Sequence, residues 1–281
     1  INYVAEFESY GSIPNVQEVY EISLLKKNKE IDNDAIIVNG NSGDFISGGH
    51  VNSIVNIKDT AHSIDEINWD KFLHKHYSLW NYLRVNSNDA YIVSELKSMI
   101  PTIFTDMGNV RDSQYAIMES LECIGRQSRI VIGQQRTYDY FGYEWRLPFW
   151  SDEMLNFWEG IPCKYKVDQG LYIEALRENN WGNVWSDIKV NDKKIKPYTL
   201  RLIRMLFKFL FIPLGKLKWY RFEKNVFEYF MHPSYALTVE PYFKILLDYR
   251  GYRSTNSWLA SKMLKNNDID IDSVILPKTN T

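Results

Sequence analysis

The stretch AIIVNGNSGDFISGGH, residues 35–50, sets the fold expected of this chain. Four apolar residues bounded by Asp34 and by Asn39-Gly40 read as a short strand of a covered parallel sheet. The twelve residues that follow the strand hold four glycines, two serines, two asparagines and one acid, Asp44. Just upstream, PNVQEVYEISLLKKNKE (14–30) has Val16, Val19, Ile22 and Leu25 at three-residue steps and a proline near its start, the pattern of a helix. A helix leading into a buried strand is half of a βαβ unit, so the chain is expected to open as α/β.

A small-residue loop at the end of a parallel strand lets backbone N–H groups approach an anion closely. Gly40, Gly43, Gly48 and Gly49 turn without a Cβ penalty, and Asn39, Asn41 and Ser42 add donors. Asp44 is the single negative charge and suits a Mg²⁺ bridging phosphate oxygens. On chemistry alone the loop reads as a cradle for phosphate or pyrophosphate; the plainer alternative is a tight turn whose glycines only solve a backbone problem. No Gly-Lys-Ser/Thr follows, so it is not a Walker A loop.

Outward from the loop, strand patterns become sparse. Helical periodicity runs through 65–85, with Trp69, Phe72, Leu73, His76, Trp80 and Leu83 on one side, and then through 91–100, 113–135, 152–161 and 170–179. The expected organisation is an α/β unit over 1–60, a mostly α-helical extension over 61–270 and a polar tail over 271–281. The chain has 281 residues, a net charge of −2 and 24% charged residues, which gives no reason to expect a nucleic-acid partner. Two cysteines, Cys123 and Cys163, without metal-type spacing, suit a reducing, cytoplasmic setting. Residue 1 is isoleucine, and the chain is expected to be the downstream part of something longer.

Three blocks together resemble the asparagine synthetase C-terminal domain. Residues 39–50 align without a gap with that family's S-G-E-G-x-D-E-L-F-G-G-Y: Asn39 falls on the Ser, Gly40 on the first Gly, Asn41 on the Glu, Asp44 on the Asp and His50 on the Tyr. EWRLPFWSDEMLNFWEGIP (144–162) resembles E-x-R-x-P-F-L-D followed by a helix, matching at Glu144, Arg146, Pro148 and Phe149, with Asp152 one place late. GLYIEALRE (170–178) resembles G-K-x-x-K-x-x-L-R-E.

The resemblance implies a parallel α/β ATP pyrophosphatase unit of the adenine-nucleotide-hydrolase-like Rossmann type, with a helical extension. It implies a reaction in which ATP adenylates a carboxyl or amide oxygen, pyrophosphate leaves, and ammonia displaces AMP. Asp44 and Asn41 would then be the catalytic positions, with Asp44 a Mg²⁺ ligand. Asn39, Gly40, Ser42 and Gly43 would line the nucleotide and pyrophosphate site. Arg146 would brace the loop, and Lys164, which with Lys166 lies close in sequence to the third block's missing lysine, would join it as a nucleotide-binding cation. The departures are Asn41 for Glu, Phe45 for the second Glu, and Ile173 for that lysine. The family's S-G-G-x-D-S loop and glutaminase domain would lie upstream of Ile1. Such departures suit the branch that converts N-acetyl sugars of surface polysaccharides and takes ammonia from a separate glutaminase subunit. A degenerate scaffold subunit is the alternative.

Between Lys193 and Lys224 there are ten Lys or Arg and one acid, Glu223. The apolar helix expected over 200–214 within this region packs on the domain, lies on a membrane surface, or binds an anionic sugar or carrier. Of the five histidines, His50 follows the loop and could reach a phosphate or the acceptor. His74 and His76, two apart, make a poor shared metal site. His62 and His232 have no evident partner in the sequence.

Overall fold

In the computed structural model the protein is described over residues 16–56, 61–100, 110–185, 198–231 and 240–270. Pro14, His232, Lys193, Lys194 and Lys196, and the expected tail, lie outside the described residues. The described chain is mostly helical, with one two-stranded parallel sheet.

Helix α1 (Val16–Asn28) buries Val19 and Ile22 as its periodicity demands. It ends on Lys26 and Lys27, favourable charges at a helix C-terminus. Strand β1 (Ile36–Val38) pairs in parallel with β2 (Glu144–Arg146), in the register Ile36–Glu144, Ile37–Trp145 and Val38–Arg146. The expected covering of β1 on both faces is corrected by its exposure. Ile37 packs with Ile22, Tyr138 and Tyr143, whereas Ile36 and Val38 are more than half exposed. Among the described residues the α/β opening therefore amounts to one helix and two three-residue strands, one of them supplied from far along the chain.

After β1 come the one-turn helices α2 (Gly43–Ile46) and α3 (Val51–Ile54), then α4 (Asp70–His76) and α5 (Asn86–Ser98). Val51 and Ile54 share a core with Phe72, Leu96, Ile117 and Leu121, so residues on both sides of position 60 pack as one body. Helix α6 (Val110–Glu122) runs into a π-helical segment, Cys123–Val131. A short α7 (Arg136–Phe141) then leads into β2, followed by α8 (Asp152–Glu159), α9 (Cys163–Lys166) and α10 (Gly170–Asn179). Ser151 caps α8, its hydroxyl accepting from the Met154 N–H.

The chain divides into two compact units. One holds the described parts of Ile1–Ser78 and Leu83–Asp187, the other Leu79–Tyr82 and the described parts of Ile188–Val274. The continuous helix expected over 65–85 is broken for this reason. α4 stops at His76, and Trp80 is instead buried in the second unit, 5.0 Å from the ring of Trp258. That unit contains α11 (Thr199–Phe211), α12 (Lys216–Met231), α13 (Tyr242–Leu246) and α14 (Thr255–Asn266).

Candidate functional site

The glycine-rich loop leaves the C-terminal end of β1 and is fastened to β2 at once: the Asn39 N–H donates to the Arg146 carbonyl at 3.0 Å. The Asn39 side chain then works in both directions. Its amide donates to the Tyr138 hydroxyl at 2.8 Å, and its oxygen accepts from the Asn41 N–H at 2.8 Å, closing an Asx turn. Ser42 sits in the left-handed region at φ 68°, a strained choice for a residue with a Cβ. Its buried hydroxyl is fixed by donation to Gln127 Oε1 at 2.8 Å. The Asn41 Nδ2 donor is buried and without an acceptor among the described residues.

Three glycines of this stretch are required by close approach; at Gly49 a Cβ would come within 2.9 Å of the Asp44 carbonyl oxygen. A Cβ on Gly43 would come within 2.9 Å of the Phe149 ring. On Gly48, at φ 97°, it would lie 2.2 Å from the Lys166 carbonyl oxygen. Gly40 is different: its Cβ would meet only Phe149, at 3.8 Å, so packing leaves room there for a side chain.

Glu122 is the centre of the electrostatics. Its side chain is fully buried at the junction of α6 and the π-helical segment. His50 Nδ1 lies 2.5 Å from Glu122 Oε1, and His50 Nε2 lies 3.1 Å from Asp44 Oδ2, so one imidazole bridges a buried and an exposed carboxylate. Lys75 Nζ reaches Glu122 at 3.4 Å, Arg126 at 3.6 Å, and Gln127 Nε2 donates to it at 3.3 Å. His76 Nε2 stands 3.5 Å away, an electrostatic contact rather than a hydrogen bond. In a straight α-helix Glu122 and Gln127 would point about 140° apart. The i→i+5 bonding that begins here, with Ile132 N–H on the Gln127 carbonyl at 3.0 Å, belongs to a π-helix, a form frequent at functional sites.

These contacts set the protonation states. Burial opposes charge on Glu122, but the imidazoles of His50 and His76 outweigh it and hold the carboxyl well below its ordinary range. Burial also opposes charge on His50, yet its bonds to Asp44 and Glu122 raise its pKa above the usual value. The hydrogen bond from His50 lowers Asp44. Burial pushes Lys75 down to about 8 and His76 below its ordinary value. The cluster thus keeps one buried carboxylate ionised and holds one imidazole toward its protonated form between that carboxylate and the exposed Asp44.

The expected site residues divide. Asn39, Gly40, Asn41, Ser42, Gly43 and Asp44 run from the end of β1 into the first turn of α2. The Arg146 guanidinium does not brace it: that side chain is exposed and bonded to Glu144 and to the Trp145 carbonyl, and only its backbone carbonyl holds the loop. Lys164 is also exposed, with its ammonium over the ring of its neighbour Tyr165. The buried lysine is Lys166, whose ammonium pairs with Glu119 at 3.3 Å. Sequence reasoning missed Glu122, Gln127 and Lys75. The one trace they leave is a carboxylate and an amide placed among apolar positions of a helical pattern. His62 is held by its backbone N–H on Glu66, and His74 is exposed.

A cavity of about 460 Å³ abuts the loop, lined among others by Phe45, Ile46, Tyr115, Glu119, Trp158 and Lys166. A larger one, about 610 Å³, lies in the second unit and includes none of the loop residues. Among the described residues no group of three or more His, Cys, Asp or Glu could hold a metal ion. The Asp44 carboxylate, 63% exposed and with one oxygen on His50, fits a Mg²⁺ brought in by a polyphosphate and otherwise held by water, not a caged ion. Comparison of the chain with family models, with curated proteins and with solved structures gives no match.

Proposed function

We propose that this chain is the C-terminal part of an ATP-dependent, AMP-forming amidotransferase of the asparagine synthetase-like class. It transfers ammonia from a separate glutaminase subunit to an adenylated acceptor, a sugar precursor of a surface polysaccharide. The supporting observation is the pairing of β1 with β2. Two segments more than a hundred residues apart, each resembling a block of that family, lie side by side in parallel and fix the loop to the strand end. Ligands of open parallel sheets bind at such carboxyl ends, which is also the ground for assigning β1 and β2 to a larger Rossmann-type sheet.

In this proposal Asp44 meets Mg²⁺, which neutralises charge on the departing pyrophosphate when bound. Gly40 offers its backbone to a phosphate without steric cost, and the orphan Asn41 amide donates to an oxygen of nucleotide or acceptor. His50, with both ring nitrogens on carboxylates, orients Asp44 and is itself held by Glu122, and the proton of the incoming amine passes to water. The cavity beside the loop is of a size for a sugar-like acceptor. The experiment is to supply the full-length protein with ATP, Mg²⁺, ammonia and candidate acetamido sugars. Ammonia-dependent release of AMP and pyrophosphate is expected; ADP and phosphate would overturn the proposal.

A second function is favoured by one observation. Neither expected phosphate-binding cation, Arg146 or Lys164, turns its side chain to the loop, and the cations beside it, Lys75 and Arg126, are bound to Glu122. A degenerate member that keeps the fold and serves as a scaffold would release neither AMP nor pyrophosphate under any of these conditions.

A further inference from the structure

We infer that α11 docks the second unit on the surface of an anionic membrane. At about 100° per residue, Leu202, Leu206, Phe209 and Leu210 fall within one arc of the helix. All four are more than 60% exposed. The other side of α11 already has its partner. Phe207 and Phe211 pack on α12, with the Phe211 and Phe222 rings stacked at 4.6 Å and Arg204 bonded to Glu223. The bare arc is therefore not the face α11 uses to join its own unit. It continues past the helix end into Ile212, Leu214 and Leu217, the last 86% exposed. A contiguous apolar ridge of this extent marks an interaction surface.

Charge selects the occupant. Residues 198–222 hold six Lys or Arg and no Asp or Glu. Arg201 and Lys208 lie together along one side of the bare arc of α11, and Lys216, Lys218 and Arg221 follow at the start of α12. A second copy seated here by twofold symmetry would set this cationic rim against itself. Anionic lipid headgroups match both features, taking the apolar arc into the acyl boundary and the cations at headgroup level. Tyr198 and Tyr220, both mostly exposed, are of the residue type that settles at that interface. No helix among the described residues is long and apolar enough to cross a membrane, so α11 would lie in the surface plane. Such docking holds whatever reaction the first unit performs.

Flotation of the full-length protein with vesicles tests this. With phosphatidylcholine–phosphatidylglycerol vesicles the protein is expected to float, and with phosphatidylcholine alone to stay largely in the soluble fraction. Leu206→Glu/Leu210→Glu, at exposed positions, should lower partitioning at least about tenfold with an unchanged circular dichroism spectrum. Lys208→Glu/Lys218→Glu should do the same, and added salt should weaken binding of the wild type. A wild-type protein that stays soluble with both vesicles overturns the inference. So does a concentration-dependent dimer that Leu206→Glu/Leu210→Glu dissolves, since the ridge would then be covered by a second copy.

Discussion

Replacing Glu122 with Gln keeps the shape of the side chain and removes its charge. The carboxylate has His50, Lys75, His76, Arg126 and Gln127 within 3.6 Å and is itself fully buried. Removing one partner of a buried charge pair costs about 3–5 kcal/mol. Here the two imidazoles can escape part of that cost by staying neutral, and the amide still meets Gln127, so the lower end applies, about 3 kcal/mol. Lys75 is the group left uncompensated. Urea unfolding at neutral pH should show this loss. The pH dependence supplies an internal check. Because the folded-state pKa of Glu122 is lowered, its contribution is present above the ordinary value of 4.5 and is lost as pH falls through the folded value. Glu122→Gln should therefore flatten the acid limb of the stability profile. His50 is raised, so its contribution is complete below 6.5 and fades as pH rises through its folded value. In the variant the His50 pKa, followed by NMR, should fall. A loss under about 1 kcal/mol with an unmoved His50 titration would refute the hub role of Glu122.

Further outcomes concern the loop itself. Gly48→Ala should destabilise the protein by at least about 2 kcal/mol in the same urea assay, because its Cβ would strike the Lys166 carbonyl at a positive φ. Gly40→Ala should stay within about 1 kcal/mol of wild type yet weaken binding of Mg²⁺-pyrophosphate by calorimetry. Gln127→Ala, which removes the acceptor of the buried Ser42 hydroxyl, should cost about 1–3 kcal/mol. Lys166→Met should destabilise measurably through Glu119, while Lys164→Met, at an exposed site, should lie within about 0.5 kcal/mol of wild type.

The helices were legible where periodicity is local. Val19 and Ile22 on α1 sit where their spacing places them, and α8 begins at Asp152, where its helical pattern starts. The break after His76 was not legible. Trp80 continues the helical pattern of α4, and only its distant partner Trp258 decides that it leaves that helix. The exposure of Ile36 and Val38 was equally hidden, since an apolar run does not say whether anything covers its second face. In the site, the loop from Asn39 to Asp44 was readable from composition, but its electrostatic partner was not. Glu122 meets His50 across 72 positions, and its neighbour Gln127 turns inward through a π-helical segment that helical periodicity does not anticipate. Lys164 and Lys166 show the same limit: a single residue separates them, and burial alone distinguishes the exposed one from the one that packs.

Binding of Mg²⁺-pyrophosphate to the full-length protein, titrated calorimetrically for the wild type and for Asp44→Asn, addresses the central claim that this loop holds a polyphosphate. Saturable, Mg²⁺-dependent binding to the wild type, weakened about a hundredfold or more in the variant, is the predicted result. Absence of binding to the wild type, or equal binding by both proteins, would contradict it.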